Sequence, residues 1–503
     1  MAKYLLGTDN GCTMSKAALF TLDGREVAVA SGKTDTLTPQ PGHLERDVPE
    51  MWDTTAAAIK QVITESGIDP ADIACVACAG HGNGLYLIDE AGNAVCDAIM
   101  STDSRARDII DEWTAAGVGE RVRPKTTQAI WPAQPNVLLL WLKRHRPEVI
   151  DKAAWVLMAK DFVRYKLTGQ VNAEVTDFSG TSLISVVDAA YDDDILEAFG
   201  IADLRGLLPP LVRSADICGA VTAQAAAETG LKEGTPVAGG LFDIDASGLG
   251  CGILQPSQLC MIAGTWGNNQ YIAPEPVRSD DVFMSTCYAI PGFYLMLEGS
   301  ATSASNLEWF VTEFFAADRA AAEREGTSVY ELTNQLVAAT EPESPVLFLP
   351  FLYGSNVSPD AKAAFIGLNG WHTRGHVLRA IYEGVAFGHR THVERLLKVR
   401  PRPETVSLTG GASRSETWAQ IFADILQIPV EVPEGTELGA LGACICAGVA
   451  SGIYTSYDEA VGAMVRFARR HDPNPSLADV YNAKYARYHK VIDALDPVWP
   501  DLG

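Results

Sequence analysis

The sequence is short of positive charge. Its 503 residues include 39 lysines and arginines against 63 aspartates and glutamates, which gives a net charge of −24. The acidic residues are spread along the chain instead of forming a tail, so the surface repels polyphosphate backbones. We therefore expect neither nucleic acid nor an anionic membrane as a partner. An anionic ligand must be met by local backbone N–H groups or by a metal ion.

The sequence also lacks a cysteine framework. Ten cysteines are present, and only Cys75 and Cys78, within IACVACAG, form a CxxC pair. No second CxxC and no histidine pair accompanies them, so the pattern argues against a zinc site and favours a buried strand. Reduced, buried thiols are typical of a cytoplasmic protein, and we expect that location.

Long apolar segments are scarce as well. The N-terminal MAKYLLGTDNG has too short an apolar run for a signal peptide. The longest uncharged run, LGALGACICAGVASGIYTSY at residues 438–457, is long enough to span a bilayer but is diluted with glycine, alanine, serine and threonine. It predicts a close-packed helix of a soluble protein.

The sequence is long enough for two domains, each with a substantial core. Strand-like runs such as KYLLGTD, KAALFTLD and REVAVASG precede the helical pattern VPEMWDTTAAAIKQVITESG. Pro49 suits the first turn of that helix, and Gly67 suits its end. Alternation of this kind continues along the chain and predicts an α/β fold with mixed sheets.

An internal repeat suggests how the domains are related. Residues 258–274, QLCMIAGTWGNNQYIAP, repeat the opening pattern of an apolar strand, a turn with small polar residues and a second strand. Two hairpins of similar design predict two related domains. We place the boundary near Ser247, which gives domains of residues 1–246 and 247–503.

Phosphate can be held by a P-loop, by a Rossmann turn or by a hairpin that presents N–H groups and hydroxyls. The motif GxxxxGK[ST] is absent, and the glycines of GHGNGLYLID lead into a strand instead of a helix. The hairpin arrangement fits both repeated turns. Asp9 would then hold Mg²⁺ through water, while Thr13, Ser15, Lys16 and Thr265 meet phosphate oxygens. Two ordinary turns are the alternative, because Asp-Asn-Gly favours turns in any case.

A third glycine cluster adds to this pattern. In TVSLTGGASRSETWAQIFADILQIPV, a strand-like run reaches Gly410 and Gly411, and a helix follows with Ser413 or Ser415 as its cap. This arrangement leaves room for a flat base against the backbone. The three clusters together predict a nucleotide between two lobes.

These residues resemble the FGGY family of carbohydrate kinases over essentially the whole chain. The most specific piece is AAFIGLNGWHTRGHVLRAIYE at residues 363–383, and DNGCTMSK, KDFVRYKLTG, TDFSGTS, GGLFDIDASGLG, FLPFLYGSN, LTGGAS and ELGALGA are also family-like. Leu138 departs from the lysine that is usual at its position. The resemblance implies two actin-like (ribonuclease H-like) ATPase domains with a cleft between them. The N-terminal domain would bind sugar and carry the catalytic base, and the C-terminal domain would bind the nucleotide.

The resemblance implies phosphoryl transfer from ATP, with Mg²⁺, to a sugar hydroxyl. Asp243 matches the family's catalytic base, although a helix cap is the alternative for a carboxylate after Gly-Gly. Asp245 would point to the same side if the segment is extended, as a second base or metal contact. Gly264 and Thr265 would bind phosphates. Further nucleotide positions are Gly410, Gly411 and Ala412, with Asn306 and Glu437 as weaker candidates.

The sugar-binding residues implied by the resemblance lie in the first domain. His81 and Asn83, within AGHGNGLYLID, match substrate-contacting positions, and the glycines around them allow close approach. A satisfied buried histidine is the alternative for His81. Asp103 and Arg105 would also reach the sugar, unless they form an ion pair that braces the pocket.

Within the family, PQPGHLERD, GNGLYLID, GGLFD and SNLEWF resemble the branch that acts on L-xylulose. The expected substrate is a small ketose of the L-xylulose or 3-keto-L-gulonate type. Another pentulose, or a polyol such as erythritol, stays open, as does a non-catalytic sugar or nucleotide sensor on the same fold. A homodimer is compatible with the resemblance. Trp266 replaces a small residue and either walls the pocket or packs between lobes.

Overall fold

A computed structural model describes residues 3–279, 281–355 and 360–502 of the chain. Asn356, the last residue of the family-like FLPFLYGSN, lies outside these ranges. Within the same ranges, no helix combines the length and the hydropathy that crossing a bilayer requires.

The β-strands are numbered in chain order. They are β1 (Tyr4–Asn10), β2 (Met14–Thr21), β3 (Glu26–Lys33), β4 (Glu45–Arg46), β5 (Ile73–Gly80), β6 (Tyr86–Ile88), β7 (Ala98–Ile99), β8 (Trp155–Leu157), β9 (Ala173–Glu174), β10 (Ile184–Ser185), β11 (Ala190–Tyr191), β12 (Leu211–Val212), β13 (Ile217–Ala220), β14 (Pro236–Ala238), β15 (Leu241–Phe242), β16 (Gln258–Ala263), β17 (Gly267–Ala273), β18 (Met284–Cys287), β19 (Tyr294–Ser300), β20 (Leu347–Leu349), β21 (Ala364–Ile366), β22 (Thr405–Thr409), β23 (Val430–Pro433) and β24 (Phe467–His471).

The α-helices follow the same scheme. They are α1 (Val48–Ser66), α2 (Arg107–Ala115), α3 (Val118–Thr126), α4 (Pro135–His145), α5 (Pro147–Ile150), α6 (Ala159–Thr168), α7 (Val175–Ser179), α8 (Asp193–Ala198), α9 (Ala223–Thr229), α10 (Asp243–Gly250), α11 (Ser305–Phe314), α12 (Ala316–Arg324), α13 (Val329–Ala338), α14 (Arg374–Leu396), α15 (Glu416–Leu426), α16 (Leu438–Ala450), α17 (Tyr457–Met464) and α18 (Ala478–Leu495). Short 3₁₀ helices are formed by Pro70–Asp72, Ala202–Leu207, Gly411–Arg414, Pro475–Leu477 and Trp499–Leu502.

The chain divides into two compact units, and both are discontinuous in sequence. Unit 1 comprises Met1–Leu254, Ile272–Met296 and Gly435–Arg466, and unit 2 comprises Gln255–Tyr271, Leu297–Glu434 and Phe467–Gly503. These units differ from a single division after residue 246, which falls inside α10. The chain returns to unit 1 twice, and the second return carries α16.

The central sheet of unit 1 has the strand order β13-β14-β5-β1-β2-β3, and β15 also pairs with β5. The predicted meander of β1, β2 and β3 is confirmed, with antiparallel pairing of β1 to β2 and of β2 to β3. The helix predicted next is confirmed as α1, with Pro49 in its first turn and Gly67 in the left-handed conformation at its end. Its buried face packs on β2 and β3.

Helix α16 contains most of the long uncharged run and packs against β1, β5 and α10. Small residues make this close approach possible. A Cβ at Gly7 of β1 would collide with the backbone of Ala440, and one at Gly442 would collide with the backbone of Ala246. The glycine and alanine content of this run therefore reflects helix packing in unit 1.

The second seven-stranded sheet contains the strand order β19-β17-β16-β22-β23-β24, and most of these strands lie in unit 2. In this sheet β16 pairs antiparallel with β17 and parallel with β22. In unit 1, β1 is likewise antiparallel to β2 and parallel to β5. The two predicted hairpins are therefore confirmed, and each occupies the equivalent place in its own sheet.

Candidate active site

Three strand ends lie side by side in unit 1. In the parallel register, Gly80 of β5 is opposite both Asn10 of β1 and Phe242 of β15. The segments that follow these residues therefore leave the sheet at one edge, which is where open α/β sheets bind ligands. They are the turn after β1, the loop that contains His81 and Asn83, and helix α10, which begins at Asp243.

Asp9 lies in β1, opposite Lys16 of β2. Its carboxylate has no hydrogen-bond partner among the described residues, and burial raises its pKa against the lowering effect of Lys16. Gly439, in the first turn of α16, makes room for it, because a Cβ there would lie 2.5 Å from Asp9 Oδ2. Lys16 pairs instead with Glu437, with Nζ 2.8 Å from Oε2.

The other predicted phosphate contacts of this hairpin differ in their exposure. Thr13 is exposed at the turn. Ser15 is buried, and its hydroxyl accepts a hydrogen bond from Asn10 Nδ2 at 3.0 Å, which holds the two strands together. The Ser15 O–H stays available as a donor, but the side chain is fully buried. Thr13 is the hydroxyl that the structure leaves accessible.

Asp243 is the first residue of α10. Burial and, to a smaller extent, the charge of Asp9 raise the pKa of its carboxyl to about 8, while a hydrogen bond from the Ile244 N–H acts in the opposite direction. Phe242, just before it, donates its backbone N–H to Thr176 Oγ1 at 2.9 Å. The chain is thus fixed where the strand ends and the carboxyl begins.

The expected placement of Asp245 beside Asp243 is wrong. The segment is helical from Asp243 onward, so residues two positions apart point about 200° apart around the axis. Asp245 is fully buried, and its Oδ1 accepts the backbone N–H of Ala289 at 3.0 Å. Burial raises its pKa well above the usual range. It anchors α10 and is directed away from the face that Asp243 presents.

The loop after β5 needs its glycines. A Cβ at Gly82 would lie 2.7 Å from Asp177 Oδ1, and one at Gly84, where φ is +73°, would collide with the Ile99 carbonyl. Between them, Asn83 has φ +61°, and its side-chain Oδ1 is buried without a hydrogen-bond partner in the described structure. A carbonyl oxygen left in this state suits a ligand hydroxyl.

His81 is more completely satisfied. Its Nε2 lies 2.9 Å from Tyr86 Oη, and its Nδ1 lies 3.4 Å from the Gly82 carbonyl oxygen. Burial, with the nearby charge of Arg46, lowers the pKa of the imidazole to about 3, so the ring is neutral. This environment favours the alternative of a buried supporting histidine. The sugar-contact role of His81 stays a prediction.

Asp103 is held within the protein. Its Oδ2 accepts the Leu44 N–H at 2.7 Å, and its Oδ1 accepts the Arg105 N–H at 2.8 Å. The Arg105 guanidinium also binds it and reaches Glu45 at 2.8 Å. These contacts occupy both carboxylate oxygens, so the bracing ion pair is the arrangement that the structure supports for Asp103.

Unit 2 repeats the arrangement of neighbouring strand ends. Ile262 of β16 is opposite Thr409 of β22, so the Gly264–Trp266 turn and the Gly410-Gly411 pair leave the sheet together. Gly410 has φ +86°, and a Cβ on it would lie 2.7 Å from the Ala263 carbonyl. Ser305, which begins α11, donates its hydroxyl to the Thr265 carbonyl at 3.0 Å.

A cavity of about 840 Å³ opens beside this turn. Its lining residues include Gly264, Thr265, Gly411, Ser305, Glu308, Tyr330, Glu331, Asn334, Tyr382, Arg414 and Trp418. The Tyr382 and Trp418 rings stack, with centroids 4.3 Å apart. The cavity combines aromatic faces with hydroxyl and glycine backbone groups, and its size is that of a small-molecule site.

Asn334 has a fixed orientation in this cavity. Its Oδ1 accepts hydrogen bonds from Tyr382 Oη at 2.9 Å and from Ser415 Oγ at 2.6 Å. Its amide group, which carries two donors, is therefore the part available to a ligand. Ser415 also caps α15, through a hydrogen bond from the Trp418 N–H at 3.0 Å, as one of the two predicted caps.

The predicted nucleotide residues are only partly at this cavity. Ala412 and Asn306 are buried and are not among its lining residues, and the Asn306 amide bonds Thr302 Oγ1 at 2.7 Å. Glu437 belongs to unit 1, where it pairs with Lys16. Trp266 is 50% exposed at the tip of its hairpin. Direct nucleotide contact by Ala412, Asn306 and Glu437 stays a prediction, and so does the role of Trp266 as a pocket wall.

Family comparison covers both parts of the chain. Residues 4–250 match the N-terminal domain of the FGGY family of carbohydrate kinases, and residues 259–451 match its C-terminal domain. The chain belongs to this family. As an FGGY carbohydrate kinase it is a phosphotransferase, and its two domains have the actin-like ATPase fold, as the sequence predicts.

Individual relatives of this FGGY kinase are similar over nearly their full length. It is 36% identical over 498 residues to the L-xylulose/3-keto-L-gulonate kinase of Escherichia coli K12, covering 98% of both chains. It is 36% identical over 497 residues to the probable L-xylulose kinase of Pasteurella multocida, covering 98% of this chain and 99% of the relative. The crystal structure of xylulose kinase from Rhodospirillum rubrum matches with a TM-score of 0.86, at 28% identity, over 99% of this chain and 100% of that one.

Several residues of this FGGY kinase were not identified by the sequence reasoning. Beneath the His81 loop, the buried Lys160 lies 2.8 Å from Asp161, 3.4 Å from Glu174 and 3.6 Å from Asp177. The family-like segments KDFVRYKLTG and TDFSGTS contain Lys160, Asp161 and Asp177, and Glu174 lies between the two segments, but nothing in either pattern shows that these residues meet. The aromatic walls of the unit 2 cavity are equally dispersed along the chain.

Proposed function

We propose that this kinase transfers the γ-phosphoryl group of ATP to a hydroxyl of a small ketose, with Asp243 as the base. One observation carries the proposal. Asp243 follows a strand end next to the Asp9 turn and the Asn83 loop, and burial with the Asp9 charge raises its pKa to about 8. A general base works best with a pKa near the operating pH, which an ordinary carboxyl lacks.

The step can be written in terms of the groups present. The sugar oxygen forms a bond to the γ-phosphorus, the bond from that phosphorus to the β,γ-bridging oxygen breaks, and ADP leaves. The hydroxyl proton passes to an Asp243 carboxylate oxygen. The unpartnered Oδ1 of Asn83 accepts a hydrogen bond from a second sugar hydroxyl and so orients the substrate. Transfer requires the unit 1 residues around Asp243 and the unit 2 cavity to bind the same ATP molecule. This requirement stays a prediction.

Mg²⁺ belongs to the same proposal. Among the described residues no cluster of three or more histidine, cysteine or acidic side chains forms a dedicated metal site. Magnesium commonly uses one or two carboxylates together with substrate phosphates and water, and the free, partly exposed Asp9 fits that need. The ion would neutralise charge on the phosphates. The exposed Thr13 and the free N–H groups of its turn would meet phosphate oxygens.

The nucleotide fits the unit 2 cavity. The N–H groups and hydroxyl of the Gly264-Thr265 turn suit phosphates, and the Asn334 amide donors suit an acceptor atom on the base. Glycine at position 411 leaves its backbone open to the ligand. ATP is accordingly the proposed phosphoryl donor.

The sugar class follows from the relatives. Two of them carry the names L-xylulose/3-keto-L-gulonate kinase and probable L-xylulose kinase. We propose a substrate of that type for this chain, in carbohydrate catabolism. Another pentulose or a polyol such as erythritol would use the same base and the same phosphates.

The test measures ADP release with a panel of pentuloses, 3-keto-aldonates and polyols. We expect ADP release to depend on one ketose, and Asp243→Asn to lower kcat by at least about 10³-fold while ADP affinity stays near that of the unmodified protein. ATP hydrolysis that is indifferent to every sugar would favour an ATPase on the same fold, and ligand binding without any ADP release would favour the non-catalytic sensor. Near-normal sugar phosphorylation by Asp243→Asn would remove the carboxyl from the base role.

A further inference from the structure

Arg46 is an unusual residue of unit 1. It forms half of β4, its side chain is fully buried, and it makes no ion pair with any carboxylate in the described structure. A buried charge without an acidic partner is costly, so its position calls for an explanation. The sequence reasoning passed over it within the family-like PQPGHLERD.

The guanidinium of Arg46 binds the turn between β1 and β2. Its Nη1 donates to the Gly11 carbonyl at 3.2 Å, and its Nη2 donates to the Gly11 carbonyl at 3.2 Å and also to the Cys12 carbonyl. A fork of donors thus holds two successive carbonyls. The turn has no comparable anchor from any other arginine of the described chain.

This clamp fixes the direction of two peptide N–H groups. The described chain has no cis peptide bonds, and in a trans peptide the C=O and the following N–H point in opposite directions. Since Arg46 holds the carbonyls of Gly11 and Cys12, the N–H groups of Cys12 and Thr13 must point away from it. Neither N–H has a hydrogen-bond partner among the described residues.

We propose that Arg46 is a positioning residue for phosphoryl transfer, which holds the 11–13 turn so that the Cys12 and Thr13 N–H groups bind a phosphate oxygen. Successive N–H groups that point outward form an anion site, and the buried cation behind them adds a fixed positive field. In a chain with a net charge of −24, such a local field matters for an anionic ligand. The proposal rests on the function proposed above.

The reactivity of the Cys12 thiol can be measured without catalysis and indicates the state of the 11–13 turn. Its Sγ lies 3.4 Å from Ser101 Oγ. Burial raises its pKa, the Ser101 hydrogen bond and Arg46 lower it, and Asp243 and Asp9 raise it. Alkylation of Cys12, followed by peptide mass spectrometry with the other nine cysteines as references, therefore measures both the field of Arg46 and the occupancy of the turn.

The first experiment compares Arg46→Met and Arg46→Lys with Arg400→Met. Arg400 is a matched control, because its buried guanidinium also binds backbone carbonyls, those of Pro256, Gln258 and Pro401, but in unit 2. We expect kcat to fall about 100-fold in Arg46→Met and about 10-fold in Arg46→Lys, with sugar KM nearly unchanged. Arg400→Met should lower the melting temperature without changing kcat of the folded fraction.

The second experiment uses inorganic phosphate as the probe. Millimolar phosphate should slow Cys12 alkylation in the unmodified protein and in Arg400→Met, and should have no effect in Arg46→Met, whose Cys12 pKa should also be higher. If Arg46→Met does not fold, Arg46→Lys decides, since it keeps the charge but loses the fork. An unchanged kcat in Arg46→Lys, or phosphate protection that survives the loss of Arg46, would overturn the proposal. Failure of the unmodified protein to phosphorylate any sugar would instead overturn the proposed function, and the phosphate readout would still judge Arg46.

Discussion

The two hairpins of this kinase pair with their sheets in the same way, but only one of them carries charged side chains. The charged hairpin, β1–β2 (residues 4–21), carries Asp9 and Lys16 and has Glu437, Asp243 and the buried Arg46 around its turn. The uncharged hairpin, β16–β17 (residues 258–273), has no acidic or basic residue at all. Its turn is held instead by the Ser305 hydroxyl.

The difference indicates that the charged hairpin serves the chemical step and the uncharged hairpin serves nucleotide binding. Charges around a turn can neutralise phosphate oxygens, hold a metal ion and move a proton, and all three belong to the chemical step. A turn with only N–H groups and hydroxyls can hold a phosphate without changing its reactivity. We therefore expect changes in the charged hairpin to act on kcat and changes in the uncharged hairpin to act on nucleotide affinity.

Among substitutions within the two hairpins, the largest expected effect is that of Asp9→Asn. Loss of the carboxylate that fits Mg²⁺ should lower kcat by about 10²- to 10³-fold, while the Kd of ADP measured by calorimetry without metal changes little. Asp23→Asn is the control, because this aspartate lies on the β2–β3 connection with half of its side chain exposed. A variant of Asp9 that keeps normal kcat but binds nucleotide poorly would contradict the proposal that the charged hairpin acts on kcat.

How far the sequence predicts these features depends on how local they are. The hairpins, α1 and the Ser415 cap follow from side-chain periodicity and turn residues within a few positions, and each was predicted. The start of α10 at Asp243 was considered only as the helix-cap alternative, and the hydrogen bond from Phe242 to Thr176 that holds the chain there joins residues 66 positions apart. Residue spacing alone carries no signal for such a contact.

The same limit applies to the ligand sites. The glycine loops were found because a left-handed or closely packed backbone demands glycine at fixed positions. The cavity walls at Tyr330, Tyr382 and Trp418 are ordinary aromatics far apart in the chain. The role proposed for Arg46 likewise depends on carbonyls more than thirty positions away, which no sequence pattern records.

A smaller effect is expected from Thr265→Ala in the uncharged hairpin. Thr265 is exposed and its carbonyl is already held by Ser305, so the substitution removes a phosphate-binding hydroxyl without disturbing the turn. KM for ATP should rise about 10-fold with kcat and the melting temperature nearly constant. Thr265→Ser is the matched control and should restore the KM. A loss confined to kcat would contradict the assignment of this turn to nucleotide binding.

The pH dependence of kcat/KM separates the hairpins in another way. Asp243 must be ionised to accept a proton, and burial with the Asp9 charge raises its pKa to about 8. Activity at limiting substrate should therefore rise tenfold per pH unit below about 8, since this parameter reports the free enzyme. The residual activity of Asp9→Asn should show this limb at lower pH, because one of the charges that raise the pKa is gone. Thr265→Ala should leave the limb in place, and a shift in both variants would contradict this cause.

The smallest expected effect on kcat is that of Asp245→Asn. This substitution tests whether the acidic residues that act in the chemical step extend beyond Asp243 along α10. Asp245 is adjacent in sequence to the proposed base but lies on the opposite side of α10, with Oδ1 bound to the Ala289 N–H. An asparagine keeps that acceptor, so kcat should stay within about threefold of the unmodified protein, as for a hydrogen bond conserved in the variant.

Burial raises the pKa of Asp245 well above its ordinary value, so ionising it costs more in the folded state and destabilises the protein as pH rises. Asp245→Asn should therefore raise the melting temperature more at pH 9 than at pH 6. A large loss of kcat with the fold intact would instead place this carboxyl in the chemical step, and would show that proximity in sequence outweighs the helical geometry.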